Sequence, residues 1–228
     1  MYYAELEQNC DEEIYKVIQK HFDEKIYIDN FWLASGYSSG EEDNLRYVFN
    51  WNKKRFPDPE GFFEKMEQEM GINVIPNMKP GILKNHPYRK VFEQYDAFVK
   101  TPDKAEDYVG RWWGGEGRFV DFTKKAGRDA WKELLKKNLM VKGMRTVWND
   151  NCEYDGMGGT MAELKIIQSN MMAYTGKEAL KEVYPKARPY IINRAGYAGI
   201  QRYAQVWAGD NLTDWRTVKF NIATIMGM

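Results

Sequence analysis

Cysteine and histidine are nearly absent from this 228-residue chain, which has two of each. Two cysteines, Cys10 and Cys152, make neither a disulfide framework nor a metal-ligand spacing, and they read as reduced thiols, which suits a cytoplasmic setting. His21 falls in an amphipathic stretch and His86 stands beside Pro87, so both read as structural. There is no excess of one charge either: 33 Lys and Arg balance 33 Asp and Glu. That balance argues against a nucleic-acid backbone as the main partner, because phosphate binding shows as a basic surplus. No run approaches the roughly 18 apolar residues of a membrane span, and the acidic start MYYAELEQNCDEE lacks the apolar core of a signal peptide. No Pro/Ser-rich linker, low-complexity tract or fixed-period repeat divides the chain, whose length allows one large domain or two small ones.

What is abundant is aromatic: 15% of the residues, with 8 Trp and 15 Tyr. Such side chains fill cores, and they also make the flat apolar walls on which sugars or bases stack. Along the chain, short apolar runs alternate with amphipathic helical ones, which points to βα units around a parallel sheet. The candidate strands are 2–6, 26–33, 73–78, 145–149, 190–194 and 204–208. Helices are expected at 11–22, 59–71, 126–143 and 160–184, with a last one from 214 to the end. Gly71 and Gly143 sit where a helix should stop before the next strand. Six strands are too few to close a (β/α)₈ barrel, which needs eight, so an open doubly wound sheet is the structural alternative.

In a barrel, side chains at the C-terminal strand ends face the active site. Asp29, Lys79, Asp150, Arg194 and Asp210 fall at or near such ends, and Trp32, Trp148 and Trp207 accompany the acids. Two carboxylates between aromatic walls suit glycoside hydrolysis, in which one ionised acid attacks and one protonated acid serves the leaving oxygen. Arg194 would hold a sugar hydroxyl or keep the attacking acid ionised. Two other motifs fail. GMGG (156–159) lacks the pattern and ending of a phosphate loop and follows a run of acids, which removes the main support for a nucleotide-binding reading. DNCEYDG (150–156) misses the alternating spacing of a calcium loop.

TVWNDNCEYDG (146–156) resembles the W-x-D-x-x-E nucleophile segment of glycoside hydrolase family 31. NRAGYAGIQRYAQVWAGDN (193–211) is similar to the family's arginine-to-aspartate segment, which carries the acid/base. IDNFW (28–32), FNWNKKRFPDPEGFFEKMEQEMG (49–71) and FVDFTKKAGRDAW (119–131) resemble its substrate-binding strand, F-P-D-P segment and D-F-T stretch. The likeness implies that residues 1–228 are one incomplete TIM (β/α)₈ catalytic domain, about six strands with the last two βα units missing. It implies Asp150 as nucleophile, Asp210 as acid/base, and Asp29, Trp113, Trp148, Arg194 and Trp207 as substrate-binding residues. The implied activity is retaining hydrolysis of terminal non-reducing α-linked glucosyl-type residues, without metal or organic cofactor and without nucleic-acid or membrane partners. Glucosyl transfer and a non-catalytic carbohydrate-binding remnant are the alternatives. Departures from the pattern are TKKAG in the D-F-T stretch and Cys152 beside the nucleophile. A barrel short of two units would expose the edges of its first and last strands, so marginal stability and weak or no turnover are expected of this chain alone.

Overall fold

The computed structural model describes residues 4–154 and 162–227. Its elements run α1 (Cys10–Asp23), β1 (Asn30–Leu33), α2 (Pro59–Gln68), β2 (Asn73–Met78), β3 (Gly81–Leu83), α3 (Arg89–Gln94), β4 (Val109–Trp112), β5 (Gly115–Phe119), α4 (Lys125–Asn138), β6 (Thr146–Asn149), α5 (Ala162–Val183), β7 (Tyr190–Asn193), β8 (Gln205–Val206) and α6 (Trp215–Gly227). Local chemistry accounts for several boundaries. Asp58 caps α2 by accepting from Gly61 N at 3.1 Å, with Pro59 in the first turn where its missing N–H costs nothing. The chain after α4 turns at Gly143, whose φ of +120° is open to glycine alone, and an added Cβ there would meet Phe63 Cβ at 2.8 Å.

Strands β1, β2, β6, β7 and β8 hydrogen-bond in that order as a parallel sheet. Strand β6 is buried along its whole length and β2 nearly so, as expected when both faces of a sheet are covered. Alternate residues point to opposite faces. Phe31, Leu33, Val74, Val147 and Ile191 join one large core with side chains of α1, α2, α4 and α5. The other face carries a separate cluster of Ile75, Trp148 and Ile192, packed by Trp32 and Trp207. Helices on one face and an all-strand apolar layer on the other suit a barrel wall and not a doubly wound sheet, which has helices on both faces.

Several expectations need correction. Residues 4–6 form no strand, and Ala4 has a φ of 57°, so the parallel sheet has five strands among the described residues; residues 1–3 lie outside them. The run at 26–33 pairs only from Asn30 onward, because Ile26 and Tyr27 are exposed. The segment expected at 204–208 contributes only Gln205 and Val206. Between β2 and α4 the chain makes an antiparallel sheet in the order β3-β5-β4, and α3, neither of which the pattern revealed. Asp155 and the GMGG segment (156–159) lie outside the described residues. Among the described residues no helix is long and apolar enough to cross a membrane.

Candidate active site

Register places the charged groups. Met78 pairs with Asn149, Asn149 with Asn193, and Asn193 with Val206. One step further along parallel strands are Lys79, Asp150, Arg194 and Trp207, and the ladder continues into them. Asp150 N donates to Met78 O at 2.8 Å, Arg194 N to Asn149 O at 3.0 Å, and Trp207 N to Asn193 O at 3.2 Å. Neighbouring strand ends therefore present cation, anion, cation and aromatic ring side by side.

Asp150 is the most heavily bonded of these groups. Its Oδ2 accepts from Asn77 Nδ2 at 2.9 Å and from the Lys79 ammonium. Its Oδ1 accepts from Arg194 Nη1 at 3.1 Å and from Asn151 N at 2.8 Å. Asn151 sits at a φ of 48°, which asparagine tolerates and which turns the chain back over the carboxylate. Burial alone would raise the Asp150 pKa, but the charge and hydrogen bond of Lys79, then Asn77 and Arg194, outweigh it and hold the carboxyl below its ordinary value. Burial lowers the Lys79 pKa, against the opposing pull of Asp150.

Arg194 joins the two acids. Its Nη1 lies 3.1 Å from Asp150 Oδ1 and 3.6 Å from Asp210 Oδ2, and its Nε 2.8 Å from Glu153. The shared nitrogen limits the gap between those two carboxylate oxygens to roughly 7 Å, which admits the ~5–5.5 Å of a retaining pair. Asp150, Asp210, Arg194, Trp113, Trp148 and Trp207 line one cavity of about 200 Å³, together with Asn77, Lys79 and the end of β1 at Ala34 and Ser35. Trp148 stands edge-on to Trp32 at 5.0 Å and to Trp207 at 5.6 Å between ring centres. Trp113 comes from the turn of the β4–β5 hairpin, and the Lys79 ammonium lies 4.8 Å from its ring centre. Two buried polar atoms of the lining, Asn77 Oδ1 and Trp148 Nε1, have no protein partner among the described residues.

Asp29 is not among these groups. It precedes β1, at the N-terminal end of the sheet, is exposed, and its carbonyl accepts from Asn73 N at 2.9 Å. Reading 26–33 as one strand put this acid near the wrong end. Sequence reasoning placed Lys79 at a strand end but gave it no role; it stands one residue past β2 as Asp150 stands one past β6, and its ammonium bonds that acid. Cys152 is fully buried, its thiol pushed up to about 12 first by burial, and its Sγ lies 3.9 Å from Asn149 O. Among the described residues no three His, Cys, Asp or Glu side chains cluster as a metal site would need.

Residues 2–228 match the model of the glycosyl hydrolases family 31 TIM-barrel domain. The chain belongs to this family. Alpha-glucosidase 2 of Bacillus thermoamyloliquefaciens is 28% identical over 96% of this chain and 29% of its own length. Human neutral alpha-glucosidase C is 28% identical over 95% of this chain and 25% of its own. The DNJ-bound glucosidase II alpha subunit superposes with a TM-score of 0.80 at 26% identity, covering 93% of this chain and 24% of that one. A family 31 alpha-xylosidase from a soil metagenome, complexed with xylose, gives 0.80 at 20% identity over 94% of this chain and 32% of that one. The five parallel strands are thus part of a family 31 barrel, and the chain spans 24% to 32% of these relatives' lengths.

Proposed function

We propose that residues 1–228 are part of a single catalytic domain of a retaining glycosidase acting on terminal, non-reducing α-linked glucosyl-type residues. In this reading Asp150 attacks the anomeric carbon while Asp210 protonates the departing oxygen, giving a covalent glycosyl-enzyme. Asp210 then takes a proton from the water that releases the sugar. A sugar hydroxyl in place of that water would make the same intermediate a glucosyl donor. Trp113, Trp148 and Trp207 supply apolar walls for the ring, and the unpartnered Asn77 Oδ1 and Trp148 Nε1 await sugar hydroxyls.

The observation that carries the reading is Arg194 Nη1 poised between the two acids, at 3.1 Å from Asp150 and 3.6 Å from Asp210, inside an aromatic-walled cavity. A cation in that place keeps the attacking carboxylate ionised and brings the second acid to the same cleft. The Asp210 side chain remains 79% exposed, so turnover by this chain alone is expected to be weak even where the first chemical step occurs. Incubation with a 2-fluoro-glucosyl trap, followed by peptide mass spectrometry, should yield one adduct, on Asp150. Sugar binding detected by calorimetry with no adduct would instead favour a non-catalytic carbohydrate-binding role.

A further inference from the structure

We propose that Lys79 is a positioning residue for the Asp150 carboxylate, fixing its Oδ2 against the end of β2 so that Oδ1 turns toward Arg194 and Asp210. The proposal deepens the reading of Asp150 as nucleophile and rests on it. Lys79 follows the C-terminal end of β2, and its side chain is 8% exposed. A buried ammonium needs its donors satisfied, and it has three. Two go to Asp150 Oδ2 and Asn151 Oδ1. The remaining side of the ammonium meets the Trp113 ring, 4.8 Å from its centre, at cation–π distance. None is left over for a substrate hydroxyl, so the geometry assigns Lys79 to the acid and not to the sugar.

The two carboxylate oxygens differ in what holds them. Oδ2 is gripped by Asn77 of β2 and by Lys79 just past its end, both buried. Oδ1 is shared between the backbone of Asn151 and Arg194, a side chain 29% exposed that also serves Glu153 and Asp210. A carboxylate pinned at one oxygen cannot rotate about its Cβ–Cγ bond, and reactions of bound groups lose rate steeply with small misplacements. The same ammonium offsets the cost of burying an ionised acid. The other charges around the pair are Arg194, Glu153 and Asp210, whereas Glu5 and Arg46 at the cavity edge are paired with each other.

Lys79→Met removes the charge and keeps most of the side-chain volume. With ¹³C-labelled aspartate, and the Asp150 signal assigned through Asp150→Asn, the carboxyl should titrate at least one unit higher in Lys79→Met than in the wild type, in line with the ~1–3 units that a nearby opposite charge supplies. The rate of labelling by the 2-fluoro-glucosyl trap should fall on the order of 10- to 100-fold while the concentration for half-saturation stays put, and its acid limb should move up with the titration. A lysine that only fills space would be replaced by methionine with both pH profiles left in place, which would overturn the proposal. If Lys79→Met does not fold, the coupling can be read from the other side: in Asp150→Asn the ¹⁵N titration of the Lys79 ammonium should move down, and an unmoved titration would overturn the proposal equally. Absence of label on the wild-type chain would count against the glycosidase reading and not against this one, since the titrations require no turnover.

Discussion

Asp150 and Asp210 carry the same functional group, one residue past β6 and a short loop past β8, and line the same cavity, yet their surroundings have little in common. The Asp150 side chain is 10% exposed and meets four donors from three segments of the chain. The Asp210 side chain is 79% exposed, and the one ion pair it makes among the described residues is to Arg194, at 3.6 Å. The contrast extends to the elements behind them. Strand β6 is flanked by β2 and β7 and buried throughout, while β8 has two residues, one neighbour, and after it a helix, α6, with no buried side chain. The Asp150 side of the site is therefore held by many short contacts, and the Asp210 side, among the described residues, by a single long one.

The sharpest way to break that comparison is to remove each acid in turn. Asp150→Ala leaves the Lys79 ammonium buried without its counter-ion, and loss of one partner from a buried pair costs about 3–5 kcal/mol. The urea midpoint should drop accordingly, whereas Asp210→Ala should leave it unmoved. The pH dependence follows with a definite sign. Asp150 has a folded pKa held below its ordinary 3.8, so its stabilisation is fully present above that value and is lost as pH falls through the folded pKa. Wild-type stability should therefore decline more steeply below about pH 4 than that of Asp150→Asn. Equal midpoints for the two alanine variants would show that the crowded surroundings of Asp150 contribute nothing net.

Asking the same question of apolar side chains gives a second, smaller contrast. Ile192 on β7 is 4% exposed and packs with Ile75 and Trp148, while Ile222 on α6 is 65% exposed. Truncating a buried isoleucine to alanine costs about 2–5 kcal/mol, depending on how far the site can collapse. Ile192→Ala should thus shift the thermal midpoint by many degrees, and Ile222→Ala should leave it within error. A comparable loss at both positions would mean that α6 is packed in solution.

The comparison also separates what could be read from the sequence from what could not. Strands β2, β6 and β7 were legible because NVIPNM, TVWN and YIIN are compact apolar, largely β-branched runs with turn or polar residues at their ends. Asp150, Arg194, Trp148 and Trp207 could be placed because they lie within or one residue beyond such runs. Asp29 was misplaced because IYIDNFWL reads as one strand, when Ile26, Tyr27 and Asp29 are exposed and only Asn30–Leu33 forms the strand. The β3-β5-β4 sheet escaped notice because its strands are short and glycine-bearing. Gly117 is there for close approach, since a Cβ would lie 2.7 Å from Ile82 O. The bond from Lys79 to Asp150 was hidden for another reason: it depends on the β2–β6 register, which no property of either segment alone specifies.

The smallest expected effect concerns α6. Trp215, Val218, Ile222 and Ile225 recur at helical spacing along one side of it, and all are exposed, from 43% at Ile225 to 88% at Trp215. The helix does not need that stripe to form. Asp214 Oδ1 accepts from Thr217 N at 2.6 Å at its start, which satisfies one of the free N–H groups of the first turn. An apolar stripe of this kind, left in water, favours non-specific association and dye binding. Ile222→Glu should therefore lower the fluorescence of 8-anilinonaphthalene-1-sulfonate mixed with the folded chain and raise its solubility limit, with the urea midpoint unchanged. If the substitution instead lowered the midpoint and left dye binding alone, α6 would belong with the packed half of the molecule, and the division between the two acids would have to be drawn beyond it.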